Sequence, residues 1–247
     1  TEKVALLIKR ILPVVFGASL YQVNLLIGTI LATYVSDGAV SYLYYADRVT
    51  QLPLGVVGVA VGTALLPLLA RQLKAGDDAA AQNSQNRGLE FALLLTLPAA
   101  AACLVIPDEI IRVLFERGAF GAEATAATAS ALFAYATGLP AYVLIRVLAP
   151  GFYAREDTST PVRIAIAAMV VNIVLMLVLM KPMGHVGIAL AASASAWLNT
   201  LLLAIVLVKR GHFALDARLR GRLPRILLAT AGMVGVLEIA RQNLAFL

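Results

Sequence analysis

Asp47 and Arg48 stand side by side in LYYADRVTQLPLG (43–55), a stretch otherwise composed largely of residues that belong in lipid. Neighbouring positions on a helix point about 100° apart, so the two charges do not automatically neutralise each other and each needs its own partner. Tyr44 and Tyr45, close to one turn earlier, can hydrogen-bond to them or stack on them. A charged group at the centre of a bilayer costs roughly 2.5–3.5 kcal/mol on insertion scales, so it is retained for a reason. Arginine makes bidentate contacts with phosphate, and a hydrated Arg48 facing a cavity is an anion site. The competing readings are snorkelling of Arg48 to the outer interface, or an ion pair used only for packing. Arg146, in YVLIRVLAPGFY, is the second cation within an apolar run and lies nearer the cytoplasmic end, within snorkelling reach. Gln22 and Asn24 in the first apolar run suit interhelical hydrogen bonding, with ligand contact as the alternative. Asp47 alone can titrate or hold a cation, but no carboxylate pair or histidine chain marks a proton relay. Cys103 lies alone in an apolar run, and His185 and His212 stand apart in loops without ligand spacing. No catalytic triad, phosphate-binding glycine loop or metal motif is visible, so the expectation is a non-enzyme without cofactor or metal.

The elements that carry these residues follow from composition. The chain of 247 residues is 61% hydrophobic and 14% charged, with a mean hydropathy of +0.87. Soluble domains are nearer 45–50% apolar and about 25% charged. Several apolar runs reach the roughly 20 residues needed to cross a bilayer. The fold class expected is therefore an all-α polytopic membrane protein. Seven spans are placed near 11–34, 40–70, 89–106, 127–151, 163–181, 186–208 and 223–240. The start, TEKVALLIKRILPVVFG, continues apolar too far for a signal peptide and reads as a mature span.

Charge then orients the spans. Of the 20 Lys and Arg, Arg48 and Arg146 lie within spans, Arg112, Arg117, Lys181 and Arg241 fall on one side, and the remaining 14 on the other. The positive-inside rule makes the N-terminus cytoplasmic. The net charge of +6 is thus a topology signal and does not call for nucleic acid. The second span is too long for the membrane, about 46 Å against a core of about 30 Å. It carries Pro53, Gly55, Gly58, Gly62 and Pro67, so bending or breaking near Pro53 is expected, with the helix lining a cavity. PDEIIRVLFERGAF (107–120) alternates apolar and charged residues at helical spacing and is expected to lie in the outer interface plane. KRGHFALDARLRGRLPR (209–225) suits anionic head groups or simple topology control. Small residues at 17–19, 123–138 and 189–197 suit close helix packing.

Two segments, SYLYYADRVTQLPLGVVGVAVGTALLPLLARQ (41–72) and VLAPGFYAREDTSTPVRIA (147–165), closely resemble the MurJ (MviN) family of lipid II flippases, part of the multidrug/oligosaccharidyl-lipid/polysaccharide exporter superfamily. FERGAF (115–120) matches a third family stretch. The resemblance implies two six-helix lobes around a cationic cavity, followed by two extra helices. Such proteins move the undecaprenyl-pyrophosphate-linked peptidoglycan precursor outward by alternating access. On this reading residues 1–208 are the second lobe, 209–222 a basic cytoplasmic connection and 223–247 one additional helix. The first lobe would come from the same protein or from a partner chain. By position, Arg48 resembles the cavity arginine that contacts pyrophosphate, Asp47 the adjoining acid and Arg146 a basic cavity position. Gln51 stands where an acid is expected one turn beyond the arginine. Arg48, Asp47, Arg146, Asn24 and Tyr45 are the candidate substrate contacts. The implied partners are lipid II and membrane lipids, and the implied location is the bacterial cytoplasmic (inner) membrane. An exporter of another polyprenyl-linked saccharide and a non-transporting membrane scaffold are the alternatives.

Overall fold

The computed structural model describes residues 22–244, which leaves the first half of the expected first span, including its small residues at 17–19, outside the described residues. Within 22–244 there is no strand. That follows from the solvent: lipid offers no hydrogen bonds, so each apolar segment must satisfy its backbone internally. The helices are α1 (Gln22–Thr33), α2 (Ala39–Lys74), α3 (Asp78–Val105), α4 (Pro107–Phe115), α5 (Ala122–Tyr153), α6 (Ser159–Lys209) and α7 (Ala217–Leu244).

α6 contains two of the expected spans. Its backbone breaks at Gly184, at φ 57 and ψ −136, a conformation open essentially to glycine alone. The two arms fold back on each other. Arg210, just beyond the end of α6, donates to Asp157 and to the Thr160 hydroxyl (3.1 Å), both beside its start. The two arms correspond to the expected spans at 163–181 and 186–208.

Of the bending or breaking expected near Pro53, a break does not occur. α2 stays helical for 36 residues through both Pro53 and Pro67. Each proline forfeits one backbone bond, whereas opening the helix in lipid would strand several polar groups. α3 begins about ten residues before the expected span, because its polar first turns are capped: the Asp77 carboxylate accepts from the Ala80 N–H at 2.8 Å. α7 likewise starts inside the basic connection.

α5 is the centre of the bundle and packs against α2, α3, α4 and α6. Its face toward the second arm of α6 consists of small residues, as expected. At Gly138 a Cβ would lie 2.7 Å from the Ser193 Cα, so the two backbones touch. Four side chains of that arm reach carbonyls of α5: His185 to Ala127 (2.9 Å), Ser193 to Ala134 (2.8 Å), Trp197 to Thr137 (2.9 Å) and Thr200 to Ala141 (3.0 Å). Interhelical bonds of this kind average about 0.6 kcal/mol each in membranes, so the ladder fixes register more than it supplies stability.

One apolar cluster fills the end of the bundle that bears α4, including Leu43, Ile111, Leu132 and Ile188. A second fills the opposite, basic end, including Leu69, Val147, Phe152 and Leu207. α4 buries Ile111 and leaves Val113 81% exposed, so its amphipathic pattern is real but its apolar face is shared between bundle and surroundings. At the basic end, Glu90 of α3 receives Arg87, Arg218 (3.4 Å) and Arg222, while Arg87 also holds Asp216. These bonds tie α7 to α3.

Candidate functional site

The central feature is one face of α2. Tyr44, Arg48, Leu52 and Val56 follow one another at helical spacing and are all exposed, so among the described residues no other helix covers this stripe. Arg48 lies with its guanidinium carbon 4.7 Å from the centre of the Tyr44 ring, a cation–π contact one turn back. Asp47 is half-buried and turns elsewhere: its Oδ2 accepts from Gln51 Nε2 at 2.9 Å. The 100° offset therefore gives the two charges different partners. The neutral residue at position 51 supplies an amide donor where a carboxylate would repel Asp47.

Arg146 lies in a different place, in a cleft of about 340 Å³ between α2 and α5 lined by Gly58, Leu66, Ile145, Ala149, Pro150 and Tyr153. Its side chain crosses α2 at Gly58, where a Cβ would come within 2.5 Å of Nη1. Glycine at 58 is what lets the guanidinium lie against the α2 backbone. Positions 48 and 58 are ten residues apart, about 15 Å along the helix. The two cations thus mark two levels of α2.

Tyr45 points away from Arg48 into an aromatic cluster, with its ring centre 4.8 Å from Phe115 and 5.2 Å from Phe120. Asn24 faces α6, where its Oδ1 accepts from Asn172 Nδ2 at 2.8 Å. The structure therefore brings Asp47, Arg48 and Tyr44 together, places Arg146 on a neighbouring cleft, and leaves Asn24 apart. Sequence reasoning did not single out Gly58 as the bed of Arg146. Nor did it single out Asn172, although a fully buried amide in VVNIVLM is a visible signal.

The family model described as lipid II flippase MurJ matches residues 1–245. The chain belongs to the MurJ family. The Rhizobium meliloti protein named "Probable lipid II flippase MurJ" is 49% identical over 246 residues, covering 100% of this chain and 46% of its own length. A solved structure described as "Lipid II flippase MurJ, inward closed conformation" superposes with a TM-score of 0.81 at 27% identity, over 94% of this chain and 48% of the other. An outward-facing multidrug resistance MATE transporter of the MOP superfamily shares the fold, with a TM-score of 0.73 at 20% identity over 90% of this chain and 50% of the other. The chain thus spans about half the length of these MurJ and MATE proteins. Its fold is that of a multi-pass membrane transporter.

Proposed function

We propose that this chain is the second lobe of a lipid II flippase, working with a first six-helix lobe from the same protein or a partner chain. The two lobes would enclose a cavity between them in the bacterial cytoplasmic membrane, with the basic end of this bundle in the cytoplasm and α4 outside. The observation that carries this reading is the exposed stripe of α2, where an arginine stands uncovered within a membrane span.

In this reading Arg48 holds the pyrophosphate of the undecaprenyl-linked precursor. Its planar fork matches two phosphate oxygens, and the low-dielectric walls strengthen the contact. Tyr44 sets the plane of the guanidinium. Asp47, held by Gln51, stays close enough to balance the field of Arg48 without capping it, and is the group available to pair with the first lobe when the substrate has left. Arg146, two to three turns nearer the cytoplasm, gives the anion a second resting level. Rigid-body rocking of one lobe against the other would then expose these levels to the two sides in turn. Asn24 serves this scheme only indirectly, closing α1 on α6 through Asn172.

The test is native mass spectrometry of the two-lobe assembly with lipid II, comparing unmodified protein, Arg48→Ala and Arg48→Lys. Loss of a charge-assisted phosphate contact is expected to weaken binding about tenfold or more, and lysine is expected to restore only part of it. Equal retention of lipid by all three would overturn the assignment.

A further inference from the structure

The aromatic cluster beside Arg48 encloses a second pocket that the pyrophosphate site does not use. It has a volume of about 330 Å³ and is lined by Tyr45, Phe115, Arg117, Ala119 and Phe120. Phe115 and Phe120 stand 6.2 Å apart, at an interplanar angle of 47°, and the Phe120 ring meets Tyr45 nearly edge-on at 87°. Three half-buried rings set at angles to one another line it on one side. Arg117 and Ala119 are exposed and keep the pocket open to the outside. The Arg117 guanidinium donates to the Leu114 carbonyl, which holds the cation over the segment that forms the rim.

This pocket lies near the proposed pyrophosphate site. Tyr45 contacts Tyr44 edge-on at 5.9 Å, and Tyr44 carries Arg48 on its ring. Tyr45 is three residues nearer the α4 end, about 4.5 Å along α2. A group bonded directly to a pyrophosphate at Arg48 and extending toward the α4 end comes within reach of these rings.

We infer that the Tyr45–Phe115–Phe120–Arg117 pocket is a saccharide subsite, taking a sugar ring attached to the pyrophosphate. The inference rests on the proposed pyrophosphate contact at Arg48. A pyranose has C–H faces that pack on the electron-rich faces of aromatic rings and a rim of hydroxyls that needs donors. The rings and one cation at the edge supply both. The volume lies at the small end of ligand pockets and has room for a pyranose ring. An undecaprenyl tail has no use for Arg117, and an inorganic anion has none for three aromatic rings.

Two ligands separate this claim from the one beneath it: undecaprenyl pyrophosphate alone, and the same lipid carrying its saccharide. Retention of each by the two-lobe assembly in nanodiscs is measured for Phe120→Leu, Arg117→Gln and Arg48→Ala. Phe120→Leu keeps an apolar side chain but removes the ring face. The first two variants are expected to lower retention of the saccharide-bearing lipid roughly tenfold, the scale of one or two aromatic or charged contacts, and to leave the bare pyrophosphate lipid unchanged. Arg48→Ala is expected to weaken both. If Phe120→Leu and Arg117→Gln leave the preference for the sugar-bearing lipid intact, or weaken both ligands equally, the cluster merely packs α4 onto α2 and the subsite is refuted. If instead Arg48→Ala spares both lipids while the sugar preference still depends on Phe120, the pyrophosphate assignment is the one that fails.

Discussion

At the scale of the residue, Arg48 and Arg146 show two ways of keeping a cation in a membrane span. Arg48 relies on an aromatic ring of its own helix, and Arg146 lies in the gap left by a missing side chain on another helix. The first was legible in the sequence, because Tyr44 and Arg48 are separated by one turn. The second was not, because Gly58 and Arg146 are 88 positions apart and only packing joins them. Gly58→Ala puts a methyl group where the guanidinium lies. The nearest atoms are the far end of a flexible side chain, so Arg146 can swing aside, and the fold should lose less than about 1 kcal/mol. Lipid binding is the sensitive readout. If Arg146 holds the anion from its place against α2, Gly58→Ala weakens retention of the pyrophosphate lipid while leaving the melting temperature nearly unchanged. Unaltered binding would show that Arg146 acts from elsewhere.

At the scale of the element, the contact between α5 and the second arm of α6 is the rigid joint of the lobe. The runs of Ala, Ser, Thr and Gly in both segments announced close packing, and the backbones do approach to contact distance at Gly138 and Ser193. What the runs did not announce is the register, which the Ser193, Trp197 and Thr200 hydrogen bonds to α5 set. Gly138→Ala differs from Gly58→Ala in what the new methyl group meets. Here it is backbone, which cannot rotate away, so the helices must separate. A loss of about 1–3 kcal/mol is expected, read as a lower unfolding midpoint in denaturant. Thr200→Ala, which removes one hydrogen bond and leaves the packing, should cost about 0.6 kcal/mol. The reverse order of these two effects would mean that hydrogen bonds, and not backbone contact, hold the joint.

At the scale of the whole molecule, the basic end is closed by ion pairs that join segments distant in sequence. Glu90 with Arg218 and Arg222, and Arg87 with Asp216, anchor α7. Asp157 with Arg210, at 2.6 Å, locks the two ends of the α6 hairpin together. Much of the positive charge that the sequence marks as a topology signal is thus also structural. Partial burial alone would raise the Asp157 carboxyl. The Thr160 hydroxyl and N–H, Arg210 and the Ser159 hydroxyl outweigh that effect and hold it well below the ordinary carboxylate range. Asp216 is also lowered: partial desolvation opposes ionisation, but the Leu219 N–H and Arg87 favour it more strongly. A carboxylate with a depressed folded value contributes stability in full above its unfolded value, 3.8 for Asp157, and loses it as pH falls through the lowered one. The unfolding midpoint of the unmodified protein should therefore exceed that of Asp157→Asn at neutral pH, with the gap narrowing from about pH 5 toward about pH 2. A gap independent of pH would assign Asp157 a purely steric role.

Composition, read along the chain, dictated the solvent and the all-helical class. Lipid permits only helices of a certain length, so no tertiary contact was needed. The local pairings Tyr44–Arg48 and Asp47–Gln51 lie on one helix and belong to the same class. Tertiary structure alone decided that α2 stays continuous at Pro53 while the chain reverses at Gly184, that Arg146 rests on Gly58, and that Asn24 bonds to Asn172. It also decided that Tyr45 leaves the arginine to join Phe115 and Phe120. Each of these depends on which faces meet, and in lipid no apolar stripe says which neighbour it will meet. Small residues, lone amides and aromatic corners make that choice, and their partners are set by the three-dimensional packing.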